Sequence, residues 1–131
     1  MSENAKSYLC RDPQRFGYSN AKCSYEVRYC QSPETDMWTW GHQYDGPTFG
    51  GGGLPLYHTN DPDAPHMVNF RAFQSEKECI YDCLCWLQRQ FEKQGKSAVH
   101  YNEDGSLFSN FKSEIKDILK HIAGNSRTPC R

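Results

Sequence analysis

The chain has 131 residues, with 15 basic and 16 acidic side chains, a net charge of −1, and seven cysteines. That length points to one domain, spanning 1–131, with a modest core. The balanced charge gives no basic field for nucleic acid or an anionic membrane surface, and no apolar run approaches the roughly 20 residues that cross a bilayer. Cysteine at this density suits an oxidising compartment, where bridges compensate for a small core. The odd count leaves at least one thiol free or intermolecular.

The polar start, Met1 to Ser7, has no apolar signal core. A secreted protein with this start would have Met1 at the head of an already mature chain. Arg15-Phe16-Gly17-Tyr18 reads as a short strand, and Ser19-Asn20-Ala21-Lys22 as a turn. Between Cys23 and Cys30, Tyr25, Val27 and Tyr29 alternate with Ser24, Glu26 and Arg28, the period-two pattern of a strand with one buried face. A twisted hairpin is expected.

Residues 31–68 carry five of the seven prolines and six of the ten glycines, including Gly50 to Gly53 in a row. Helical and strand periodicities both look poor, so this stretch reads as a long irregular insertion. Loops of that length are normally functional or disordered, and its aromatics argue against disorder. The glycine run reads as a hinge, or as a place where a partner approaches the backbone closely.

A helix is predicted over 75–94. Ser75 and Glu78 form a capping box, and Ile80, Cys83, Leu84, Leu87 and Phe91 make an apolar stripe. Gly95 is placed to end it. Cys79 and Cys83 lie four apart on one face, so they staple the helix to whatever packs there. After a turn at Asn102-Glu103-Asp104-Gly105, a second helix over 109–123 should bury Phe111, Ile115, Ile118, Leu119 and Ile122. Gly124 lies just beyond it.

Asn69-Phe70, then Phe73-x-Ser75-x-x-Glu78-Cys79-x-x-x-Cys83, resembles the C-terminal helix of Kunitz-type (pancreatic trypsin inhibitor-like) domains. Ala21-Lys22-Cys23 with Tyr25 to Cys30 resembles the second strand of their hairpin, and Tyr8-Leu9-Cys10-Arg11-Asp12-Pro13 their first cysteine. The divergent Kunitz proteins of blood-feeding ticks are the nearest in character. The resemblance covers 8–30 and 69–83. It implies an α+β fold: a small disulfide-rich Kunitz-like hairpin plus helix over 8–83, interrupted by the insertion at 31–68, with an added helical extension over 84–131. It also implies the pairings Cys10–Cys83 and Cys23–Cys79, leaving Cys30 for Cys85 or Cys130. The family's second cysteine is missing, and with it the loop that presents a specificity residue to a serine protease. Inhibition through that standard loop is therefore not expected.

The insertion aromatics Trp38, Trp40, Tyr44, Phe49 and Tyr57 read either as partner-binding residues, since Trp and Tyr dominate interface hot spots, or as a satellite core folded back over the helices. His58, Asp61, Asp63 and His66 cluster within nine residues, but Asp-Pro steps are ordinary turn chemistry. Cys79, Cys83 and Cys85 match no zinc spacing. No metal and no cofactor is expected. The best catalytic grouping, His42 and Asp45 with Cys30 or Ser32, has no supporting motif, so no enzyme is expected either.

The expected function is that of a secreted protein that binds an extracellular protein. A parasite effector fits best, blocking a host protease, complement component or other immune factor without chemistry and so evading immunity. The alternative is a carrier of a small apolar ligand. The helix–turn–helix and late cysteine also resemble the second half of insect odorant-binding proteins, which are all-α and enclose an apolar cavity.

Overall fold

The computed structural model describes residues 8–64, 71–97, 100–101, 107–108 and 112–126. Asn69, Phe70, His66, Phe111, Cys130 and the turn at 102–105 lie outside them. Four antiparallel strands form a meander in the order β1 (Gln14–Ser19), β2 (Ser24–Gln31), β3 (Trp38–Asp45) and β4 (Gly50–Gly53). Helix α1 (Glu76–Ser97) follows, then a two-stranded pair, β5 (His100–Tyr101) with β6 (Leu107–Phe108), and helix α2 (Lys112–Ser126). The architecture is α+β.

Turn chemistry sets the register. Asn20 Oδ1 accepts the N–H groups of Lys22 and Cys23 at 3.1 and 2.8 Å, an Asx-type turn that aligns Phe16 with Val27 and Tyr18 with Tyr25. Between β2 and β3, Ser32 Oγ accepts from the N–H groups of Glu34 and Thr35, and Asp36 takes a left-handed φ of 62°. This turn places Val27 opposite His42 and Tyr29 opposite Trp40.

Within the described residues 31–64, the expected irregular insertion is in part regular, with strands at Trp38–Asp45 and Gly50–Gly53, while 54–64 forms no strand or helix. The insertion supplies half of the sheet, and the Gly50–Gly53 run is an edge strand, not a hinge. The period-two signal was present in Trp38, Trp40, His42 and Tyr44. It was obscured because the intervening Thr39 and Gly41 are also covered, so polarity does not alternate along β3. Glycine suits β4 for a steric reason. A Cβ on Gly51 would stand 3.2 Å from the Tyr44 ring, and one on Gly52 would meet the Gln43 amide.

Because opposite residues share a face, one side of the sheet presents Phe16, Tyr18, Tyr25, Val27, Tyr29, Trp40, His42 and Tyr44. Helix α1 packs there. Ser75 Oγ caps it by accepting the Glu78 N–H at 3.1 Å, and Glu76 and Glu78 complement the dipole of its first turn. Cys79, Cys83, Leu84, Leu87 and Phe91 are fully buried. Ile115, Ile118 and Ile122 of α2 join the same core as Tyr25, Val27 and Phe91. Both helices run past the glycines expected to end them, with Gly95 inside α1 and Gly124 inside α2.

Among the described residues, one end of the other side of the sheet is covered by residues 8–10 and 55–57. Leu9 bridges to Leu56, the Cys10 N–H donates to the Pro55 carbonyl at 3.0 Å, and the Tyr57 N–H donates to the Tyr8 carbonyl. Elsewhere this side is polar. Arg28 Nε lies 2.6 Å from Glu26 Oε1, with Arg15 3.8 Å from the same oxygen.

The implied cystine framework is not what the structure holds. Cys10, Cys23, Cys30, Cys79 and Cys83 are free, buried thiols, whereas Cys85 is disulfide-bonded and so is not the partner of Cys30. The topology explains why. Cys23 and Cys30 stand at opposite ends of β2, about 23 Å apart at strand rise. The Cys79 thiol lies within the electrostatic reach of Cys30, at the end of β2 away from Cys23. Cys83 donates its S–H to the Gly41 carbonyl at 3.5 Å, while Cys10 lies behind the sheet.

If α1 is the element that closes the core, Phe91→Ala should lower the unfolding free energy by about 3–5 kcal/mol. Lys93→Ala, on the exposed side of α1, should change it by less than about 0.5 kcal/mol. Urea titration of both variants checks the contrast.

Candidate functional site

The aromatic residues expected to bind a partner sit mainly along the seam between β3 and α1. Their side chains are partly buried, and Trp38, Trp40, Tyr44 and Phe49 pack against the core. Trp38 is fixed by its backbone: it exchanges hydrogen bonds with Phe73 at 2.7 and 2.8 Å, and its ring lies 6.1 Å from that of Tyr29. Tyr44 and Phe49 meet Phe91 edge-on at 6.0 and 5.7 Å, an arrangement favoured by ring quadrupoles. Tyr57 is separate, behind the sheet beside Cys10.

Trp40 anchors a more accessible cluster. Its Nε1–H donates to Asp82 Oδ2 at 2.9 Å. Arg71 Nη1 approaches the same oxygen at 3.4 Å, and the Arg71 guanidinium carbon stands 5.9 Å from the Trp40 ring centroid, within cation–π range. The Trp86 ring packs 5.7 Å from Trp40 and 4.4 Å from His42. Arg71 holds a left-handed φ of 53°, uncommon for a residue with a Cβ. The side chains of Arg71 and Asp82 remain 38% and 33% exposed, so the cluster is organised yet open to a partner. Sequence reading had not singled out Arg71, Asp82 or Trp86. The i, i+4 spacing of Asp82 and Trp86 on one helix face was the available signal.

His42 is held among Trp40, Tyr44 and Trp86. Burial, helped by the nearby Arg28 charge, pushes its pKa below the ordinary imidazole value. The residues weighed for catalysis do not converge. His42 faces α1, Cys30 and Asp45 belong to the opposite parity of the sheet, and the Ser32 hydroxyl donates to the His58 carbonyl at 2.7 Å. His58 Nδ1 lies 2.9 Å from Thr35 Oγ1. Among the described residues, no group of three His, Cys, Asp or Glu side chains is placed to hold a metal ion.

A second feature lies where α2 meets the β1–β2 hairpin. Asp117, Lys120, His121, Gly124 and Asn125 line an open depression of about 380 Å³. Tyr18 stacks on His121 at 3.6 Å and donates to Asp117 at 2.6 Å. Asn20 donates to the same carboxylate and to the Glu114 carbonyl. These hydrogen bonds, Tyr18 first, hold Asp117 below the ordinary carboxylate range. The depression is open, unlike the enclosed apolar cavity a carrier would need, and the four-stranded sheet does not fit that all-α architecture.

Comparison with protein families, with curated proteins and with solved structures finds no match to this chain.

The His42 shift has a definite sign. As pH falls below the ordinary imidazole range, the unfolded chain takes up a proton that buried His42 resists. Stability should therefore drop between about pH 7 and about pH 5. Urea midpoints across that window should show a shallower fall for His42→Phe than for the parent chain.

Proposed function

We propose that this is a secreted, non-catalytic binding protein that occludes a surface of an extracellular partner, with a divergent Kunitz-like hairpin and helix as its scaffold. A host protease, complement component or other immune factor is the partner class that best fits a cysteine-rich chain of balanced charge. The reading rests on one observation above all. Trp40, Trp86 and Arg71 belong to the types most enriched at interface hot spots, and they meet in one half-open patch on the β3–α1 seam.

The patch is preorganised. Asp82 fixes the Trp40 indole through a hydrogen bond and draws in the Arg71 guanidinium, so little side-chain freedom is left to lose when a partner docks. The inhibitory loop of the Kunitz family has no counterpart here, because no cysteine stands between Cys10 and Cys23 to brace it. Blocking would therefore be steric, from the seam, and would leave the partner covalently intact.

Immobilised protein should capture a partner from extracellular fluid, and the eluted partner should be uncleaved. Arg71→Ala and Trp86→Ala should each weaken capture at least about tenfold. Arg15→Ala, on the opposite side of the sheet, should capture as well as the parent chain. Retention of full binding by both seam variants would remove the seam from the proposal.

A further inference from the structure

Behind the sheet, three separate stretches of chain converge on one pair of sulfurs. The β2–β3 register sets Cys30 opposite Thr39, with the Cys30 thiol 3.4 Å from the Thr39 hydroxyl. That hydroxyl donates to the Leu56 carbonyl at 2.6 Å. Leu56 is the bridge partner of Leu9, and the next residue, Cys10, is fixed by its own N–H to the Pro55 carbonyl. The Cys10 side chain is thereby brought beside the Cys30 thiol and the Tyr57 hydroxyl, close enough to raise the pKa of both. Cys10 is 1% and Cys30 7% exposed, so neither is placed to meet a reagent or a partner from outside. Each is placed to meet the other.

We propose that Cys10 and Cys30 form a disulfide in an oxidising compartment, clamping the N-terminal segment and the 55–57 stretch onto the back of β2. The oxidant is a low-molecular-weight disulfide of the glutathione class. One cysteine thiolate attacks it and releases one small thiol, giving a mixed disulfide. The second cysteine thiolate then displaces the other small thiol and closes the Cys10–Cys30 bond. Two protein thiols are oxidised, one small disulfide is reduced to two thiols, and the protons leave with those thiols.

The timing follows from burial. In the finished fold, desolvation pushes the Cys30 thiol up to about 12, so thiolate is scarce and closure belongs to folding, before the 8–10 segment seals the site. Among the described residues, Cys79 is the rival thiol within electrostatic reach of Cys30. It lies on the α1 side of the sheet, whereas Cys10 shares the back side with Cys30.

Trypsin isolates the relevant residues. Cleavage after Lys and Arg places Cys10 on peptide 7–11, Cys23 on 23–28 and Cys30 on 29–71, while Cys79, Cys83 and Cys85 share 78–89. The full chain is refolded in reduced and oxidised glutathione, its remaining thiols are alkylated, and it is digested without reduction. The expected product is peptide 7–11 linked to 29–71, lighter by two hydrogens than the sum of the two. Alkylated Cys10 or Cys30, or either one linked to 23–28 or 78–89, overturns the proposal. Thiol titration of Cys10→Ser in denaturant gives a second reading with opposite signs. A paired Cys10 leaves Cys30 free in the variant, which gains one titratable thiol over the parent. A Cys10 that was free all along costs the variant one, and the proposal fails.

Discussion

Everything in this molecule depends on burying the α1 stripe against β2 and β3. A chain of this size has little apolar surface to spare, and it concentrates that surface at one contact: Cys79, Leu84, Leu87 and Phe91 from the helix against Tyr25, Val27 and Tyr29 from the sheet. Helix α2 adds Ile115, Ile118 and Ile122 to the same core. Its far end is tied to the sheet by the Asn125 amide, which donates to the Tyr25 hydroxyl at 2.8 Å.

That contact also decides what faces outward. Side chains alternate across a strand, so the register that turns Val27 and His42 toward α1 turns Glu26, Arg28, Cys30 and Thr39 to the back. On the polar part of the back Glu26 and Arg28 stay partly exposed, and the part carrying Cys30 and Thr39 is covered by residues 8–10 and 55–57. The seam and the thiol pair are thus two consequences of one register, on opposite sides of one sheet. The aromatic residues of β3 also need not be assigned wholly to core or wholly to binding. Tyr44 closes over Phe91, while Trp40 remains at the margin, where Asp82 and Arg71 hold it.

The cysteines illustrate how far spacing can mislead. Cys79 and Cys83 do stack on one buried helix face, as four-residue spacing requires. What each of them faces depends on the strand beneath. The meander brings Cys30 toward Cys79 and the Gly41 carbonyl toward Cys83, and leaves Cys23 at the far end of β2, beside Glu114 of α2.

The sequence by itself determined the local elements. Alternation in 24–31 made a strand, Asn20 made the turn before it, and the cap at Ser75 with the 3.6-residue stripe made α1, because each of these signals is carried by neighbours along the chain. β3 was half legible, since its aromatics alternate but the residues between them are covered too. β4 was not legible, because a strand of four glycines has no side chains to make a pattern and exists only through pairing with β3. The seam and the Cys10–Cys30 contact were decided by tertiary structure alone. Arg71, Asp82 and Trp40, like Cys10, Cys30 and Tyr57, are distant in the chain and meet only once the meander's register is set, and no local spacing encodes that register.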